Sequence, residues 1–171
     1  MTDALTRAGY SVRGLANWIL DYADAVGARH SNMGVNKLVF FVVEALLVRE
    51  RRLLTNAKIE AWEHGPVFRE LYQSFKRFGD KPITGRAAFF STASGEMEEA
   101  VITLSEADET AIRAALDPLI HKTASELRNL SHLPHSAWSR AWWYEGHANP
   151  GMEISPSLLL DSANGGFVEE A

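Results

Sequence analysis

Cysteine is absent from all 171 residues, which removes disulfide frameworks, thiol nucleophiles and thiolate-bound metals from consideration. That absence suits a reducing cytoplasm, the compartment expected for the chain. The opening stretch MTDALTRAGY lacks the apolar segment of a secretory signal, and no run reaches the roughly 18 apolar residues of a membrane-spanning helix. No membrane partner is expected. Basic residues are in short supply as well. Lys and Arg number 17 against 22 Asp and Glu, a net charge of -5 that argues against broad contact with nucleic-acid phosphates. The GxxxxGK[ST] phosphate loop, the GxGxxG dinucleotide fingerprint and the GxSxG nucleophile elbow are all missing, so the chain reads as a non-enzymatic protein without a cofactor. It contains no internal repeat and no low-complexity block.

What is present is ordinary globular material, with 46% hydrophobic and 23% charged residues in a length that suits one domain. The spacing predicts a mainly helical α+β fold, a single compact helical domain with a small antiparallel β-sheet. Residues 11–150 would form the domain, 1–10 an N-terminal tail and 151–171 a C-terminal tail, either flexible or clasping through Leu158–Leu160. Leu15, Trp18, Ile19, Tyr22 and Val26 mark one helix face, with Ser11 as its cap. The run from Leu38 to Val48 is too apolar for a surface helix and too long for a usual strand, so a central helix is expected over 36–52. Pro66 would open a third helix carrying Leu71, Tyr72 and Phe75. Candidate strands at 87–90 and 101–104, joined by the segment near Ile59, would make the sheet. Ser105 and Thr123 have capping-box spacing to Asp108 and Glu126 and would open two further helices, with a last aromatic piece over 136–144. Trp18, Phe41, Leu46 and Leu71 are expected in the core.

Six histidines, His30, His64, His121, His132, His135 and His147, raise a metal-dependent hydrolase as an alternative. The closest pair, His132 and His135, is interrupted by Pro134 and lacks the i, i+4 helical geometry of a zinc motif. The acidic pairs Glu98-Glu99 and Glu169-Glu170 read as solvated charge. The run Arg49-Glu50-Arg51-Arg52 suits the negative end of the central helix. It is a thin basis for a second alternative, an autoregulating DNA-binding repressor.

The most distinctive stretch is Glu60-Ala61-Trp62-Glu63-His64-Gly65-Pro66-Val67-Phe68, which places a large aromatic, an imidazole and a Gly-Pro break within nine residues. By its residues alone it is a strand-to-helix corner: Trp62 fills core, Gly65 takes an otherwise strained dihedral and Pro66 starts a helix. Together with Asn36-Lys37-Leu38, Leu53-Leu54, Leu71-Tyr72, Phe78-Gly79, Leu130-Ser131-His132 and Ala137-Trp138, it resembles the Panacea-domain (SocA-like) antitoxins in order and spacing. The resemblance implies a cytoplasmic antitoxin that neutralises a protein toxin encoded nearby by direct contact. It also implies that such a protein can act as an adaptor handing its toxin to a AAA+ protease. The toxin-binding surface it suggests lies at this corner, with Trp62, His64, Gly65, Pro66, Val67 and Tyr72 as the candidate contacts.

Overall fold

A computed structural model describes residues 4–165, and the residues read as an N-terminal tail already contribute an element. Strand β1 (Thr6–Arg7) runs parallel to a short strand from the middle of the chain, Arg52–Leu53. Helix α1 (Val12–Ala25) begins at Ser11, whose hydroxyl accepts the Gly14 N–H at 3.2 Å, as its spacing predicted. Helix α2 (Asn32–Glu50) is the expected central helix, but it starts inside the polar stretch before the apolar run. Ser31 caps it, and Asn32 and Asn36 occupy its first turns. A helix that is apolar on all sides belongs inside a protein. Helices from both sides of it in the chain, α1, α3 (Arg69–Phe75), α4 (Glu106–Leu116), α5 (Ala124–Ser131) and α7 (Pro156–Gly165), pack around α2.

After α2 come β2 (Arg52–Leu53), β3 (Glu60–Trp62) and β4 (Gly65–Val67). Pro66 therefore sits in a strand, not in the first turn of a helix, and α3 starts later, at Arg69. In the sheet order β4-β3-β7, where β7 is Met152–Glu153, β4 is an edge strand, the place in a sheet where proline's missing N–H is tolerated. Both pairings in this sheet are antiparallel. The second antiparallel pair is β5 (Ala88–Ser91) with β6 (Glu96–Glu99), so residues 101–104 are not the partner strand. They run instead over α1, where Ile102 packs so closely on Gly14 that a Cβ there would lie 2.3 Å from its Cγ2. The base of the hairpin is held by a side chain: Asn17 donates to the carbonyls of Ala87 and Ala100 at 2.9 and 2.8 Å and accepts the Ala87 N–H at 2.8 Å.

Ser105 and Thr123 cap α4 and α5 as their spacing predicted, and α6 (Ala137–Trp142) falls within the expected aromatic piece. Leu46 and Leu71 are core residues, whereas Trp18 and Phe41 are only half-buried. Trp18 lies flat against Tyr22, ring centroids 5.7 Å apart, with the Arg113 guanidinium 5.9 Å from its ring, so the core is sealed here by an aromatic that keeps one side in water. Among the described residues no helix is long and apolar enough to cross a membrane.

The segment expected as a C-terminal tail is built into the fold from Met152 to Gly165. Strand β7 pairs with β3, Ile154 N–H donates to the Ile59 carbonyl at 2.8 Å, and Leu159 is buried with α7 against α2. Glu169 and Glu170 lie outside the described residues. Leu46→Ala should cost about 2–5 kcal/mol in chemical denaturation, because it leaves a cavity beside a helix packed on all sides. Truncation after Gly151 should lower the melting temperature by several degrees, since it removes the Leu159 anchor and a strand; an unchanged melt would contradict the packing of α7 on α2.

Candidate functional site

Three polar residues in the first turns of α2 reach out of an apolar helix toward the Trp62–Phe68 corner. Asn36, 1% exposed, accepts the Phe68 N–H on its Oδ1 at 3.0 Å, while its Nδ2 donates to the side chain and carbonyl of Asn32 at 3.0 and 3.2 Å. Asn32 donates to the Tyr72 carbonyl at 3.1 Å. Lys37, also 1% exposed, donates from Nζ to the Pro66 carbonyl at 3.2 Å. One helix end thus fixes β4, the chain turning out of it, and α3. The sequence reading placed Asn36 and Lys37 in a family pattern but not in the site. The signal was there, since an Asn-Lys pair opening a buried helix has to find polar partners.

Gly65 is what lets Lys37 in. Its φ of +117° is unfavourable for a side chain, and a Cβ there would lie 2.6 Å from Lys37 Cε and 2.7 Å from Ser131 Oγ. Burial, helped by the nearby Arg128 guanidinium, pushes the Lys37 amine down to about 7. The same surroundings act on His132, which burial and the charges of Arg128, Lys37 and His64 push down to about 4. His132 stacks on Trp138 at 3.7 Å with the rings 4° from parallel, and Trp138 donates its indole N–H to the Trp62 carbonyl at 2.7 Å.

On the outer side of the corner, Trp62 meets Tyr72 edge to face at 4.9 Å and lies beneath the Arg69 guanidinium, 5.5 Å from the ring centroid. Its indole N–H donates to Glu60 at 3.1 Å, and Arg69 binds the same carboxylate at 3.0 Å. Burial acts to raise the Glu60 carboxyl, but the bonds from Arg69 and Trp62 outweigh it and hold the group below its usual range.

These elements enclose an open cavity of about 550 Å³. Met33, Trp62, Val67 and Tyr72 give it an apolar, aromatic wall, and Glu63, His64, Lys76 and Asp80 also line it, with Asn36 and Lys37 contributing from α2. Of the six residues suggested by the sequence, Trp62, His64, Val67 and Tyr72 line the cavity, whereas Gly65 and Pro66 are buried outside its lining and hold Lys37. A preformed apolar cleft with a few fixed polar groups is the usual form of a binding site.

The histidines do not converge. His30 is buried and bonds the Ile120 carbonyl through Nε2 at 2.7 Å, and His132 is taken up by its stack on Trp138. Among the described residues no three His, Cys, Asp or Glu side chains form a group that could hold a metal ion. Of the run at 49–52, Arg52 is committed to Asp108, donating from its second nitrogen at 2.8 Å.

The chain belongs to the family described as antitoxin SocA-like, Panacea domain, whose model matches residues 35–139. It is similar to antitoxin SocA of Caulobacter vibrioides (strain NA1000 / CB15N), with 32% identity over 130 residues that cover 74% of this chain and 67% of that protein. No solved structure matches it. The family match takes in Asn36, Lys37, the whole corner, His132 and Trp138.

Because the folded-state amine of Lys37 titrates near 7 and the unfolded one near 10.5, folding releases its proton between those values. Its contribution is therefore complete above the unfolded value and is lost as pH falls toward the folded one. The stability of the wild type relative to Lys37→Met should rise with pH across that window, by up to about 1.4 kcal/mol per pH unit. Denaturation curves at pH 7, 8 and 9 check this, and a constant difference between the two proteins would contradict it.

Proposed function

We propose that this chain neutralises a protein toxin by direct binding, and that the toxin seats part of its surface in the cavity beside the corner. Membership of an antitoxin family supports the role. The observation that carries the location is the cavity itself: an apolar, aromatic wall made by Trp62, Val67 and Tyr72, open to solvent and held in shape from below by Asn32, Asn36 and Lys37. His64 contributes a polar group to the same cavity, while Gly65 and Pro66 act indirectly by seating Lys37. The protein acts by occupying its partner and not by catalysis. In this reading the toxin is encoded nearby, and both proteins work in the cytoplasm.

A second partner, a AAA+ protease receiving the toxin, belongs to the same reading. It needs a surface that remains free when the cavity is filled. The apolar Leu158–Leu160 run is a poor candidate, because Leu159 is buried within the fold. The hydrolase and repressor alternatives have no observation in their favour: the histidines are dispersed, and Arg52 is paired.

Co-expression with the product of an adjacent gene should relieve that product's toxicity. The double variant Trp62→Ala/Tyr72→Ala, checked for an intact circular dichroism spectrum, should weaken the complex by at least about 30-fold, the scale expected when buried aromatic contacts are truncated. Full protection by the folded double variant would move the toxin site away from the cavity; no toxic neighbour, or toxicity that persists beside folded wild-type protein, would refute the antitoxin reading itself.

A further inference from the structure

The β5–β6 hairpin is exposed in a way that its own stability does not call for. Phe89, Phe90, Met97 and Val101 are 38%, 61%, 64% and 80% exposed, four of the eight exposed large apolar side chains among the described residues. All four fall within residues 89–101, so the exposed apolar surface is concentrated here. Register pairs Phe90 with Met97, which places them side by side on one face, and pairs Phe89 with Glu98 on the other. Glu96, Glu98 and Glu99 are exposed on β6, Glu99 on the face of Met97 and the other two on the face of Phe89, and none of them takes part in an ion pair among the described residues. The strands contact chiefly each other.

The hairpin is nonetheless fixed at its base, since the buried Asn17 amide bonds backbone at Ala87 and Ala100, one residue beyond each strand. A two-stranded sheet is marginal alone. Here a side chain from α1 holds the root, and the apolar pair is carried out into water. None of the hairpin's residues lines the corner cavity, so this is a separate surface.

We infer that the β5–β6 hairpin is a docking arm, with Phe90, Met97 and Glu99 on one face and Phe89, Glu96 and Glu98 on the other, that inserts into an apolar groove rimmed by basic residues on a partner protein. Charge selects the occupant. A second copy of this chain meeting it hairpin to hairpin would bring like charges together in a protein whose net charge is already -5. A partner carrying Lys or Arg around an apolar groove gains both the buried apolar area and the pairing of the glutamates. Identifying that partner as the toxin rests on the antitoxin reading; the arm's chemistry does not.

The test uses the full chain, a charge variant (Glu96→Lys/Glu98→Lys/Glu99→Lys) and an apolar variant (Phe90→Ser/Met97→Ser), each first checked for wild-type melting. Two probes are titrated: the toxic product of the adjacent gene, and a short synthetic peptide of alternating lysine and valine. Both variants should bind the toxic product at least about tenfold more weakly than wild type, and added salt should weaken the wild-type and apolar-variant complexes but not that of the charge variant. Should wild type protect cells while both variants bind the product undiminished, the arm is refuted and the antitoxin reading survives. Should wild type bind no adjacent product, the antitoxin reading fails and the peptide decides. Salt-sensitive hydrogen-exchange protection of residues 88–99 by the peptide, lost in the charge variant, supports the arm, and its absence overturns it. A dimer in light scattering that both variants abolish would assign the face to a second copy and overturn the partner proposed. If the apolar variant fails to fold, the charge variant alone carries the same comparisons.

Discussion

Asn36 and Lys37 lie at 1% exposure in a mostly apolar central helix, and much of the molecule follows from where their polar atoms go. A buried amide or amine without a partner costs several kcal/mol, so such groups bind inside the protein or are not buried. Here they bind the Phe68 N–H and the Pro66 carbonyl. The chain leaving β3 must therefore cross the first turns of α2. It can come that close only because residue 65 has no side chain, and Ser131 of α5 presses on the same point. The corner, α3 and the cavity between them are positioned by this contact.

The same device recurs elsewhere. Each sheet has only two or three strands of two to four residues, too little to hold its own register. Helix side chains supply what the ladders lack. Asn17 fixes the β5–β6 root, Asn36 and Lys37 fix β4, and Asp108 of α4 ties Arg52 of β2 while accepting the Tyr10 hydroxyl at 2.6 Å from the segment after β1. The helices form the core, and the small sheets are surface fittings pinned to it. A fold built this way can carry different chemistry at each pin: an aromatic cavity at one, an acidic arm with exposed apolar residues at another.

The charge pattern follows the same division. Buried carboxylates are paired from the surface, as Asp108 is by Arg52 and Glu60 by Arg69, and basic groups inside the fold are pushed toward the neutral form, as at Lys37 and His132. Burial likewise pushes the Glu44 carboxyl up to about 7, whereas Glu96, Glu98 and Glu99 stand in water on the hairpin without a basic partner among the described residues. An acidic protein of this size keeps its solubility through such residues while leaving them free to pair with another molecule.

Periodicity and capping by themselves placed α1, α4 and α5 and the body of α2, though not the start of α3 or the helix α7. Ser11, Ser105 and Thr123 each announce a start, and the apolar run after Gly34 allows only a buried helix. The corner's residues carried the family resemblance, and four of the six site residues suggested by it line one cavity. The strands at 60–62 and 88–91 were legible too, whereas their pairing and the remaining strands were decided by the tertiary structure alone. Glu98-Glu99 reads as solvated charge, and it lies in a strand whose root is held by Asn17, some seventy residues away, through Ala87 and Ala100. Val101–Leu104 looks like a strand and is not one, because Ile102 is drawn onto Gly14. Pro66 has the form of a helix start, yet the pull of Lys37 keeps it in an edge strand. Helix signals lie within a few residues of one another and are written locally. Strand pairing and the seating of a buried amine depend on partners distant in the chain, and those exist only once the core has brought them together.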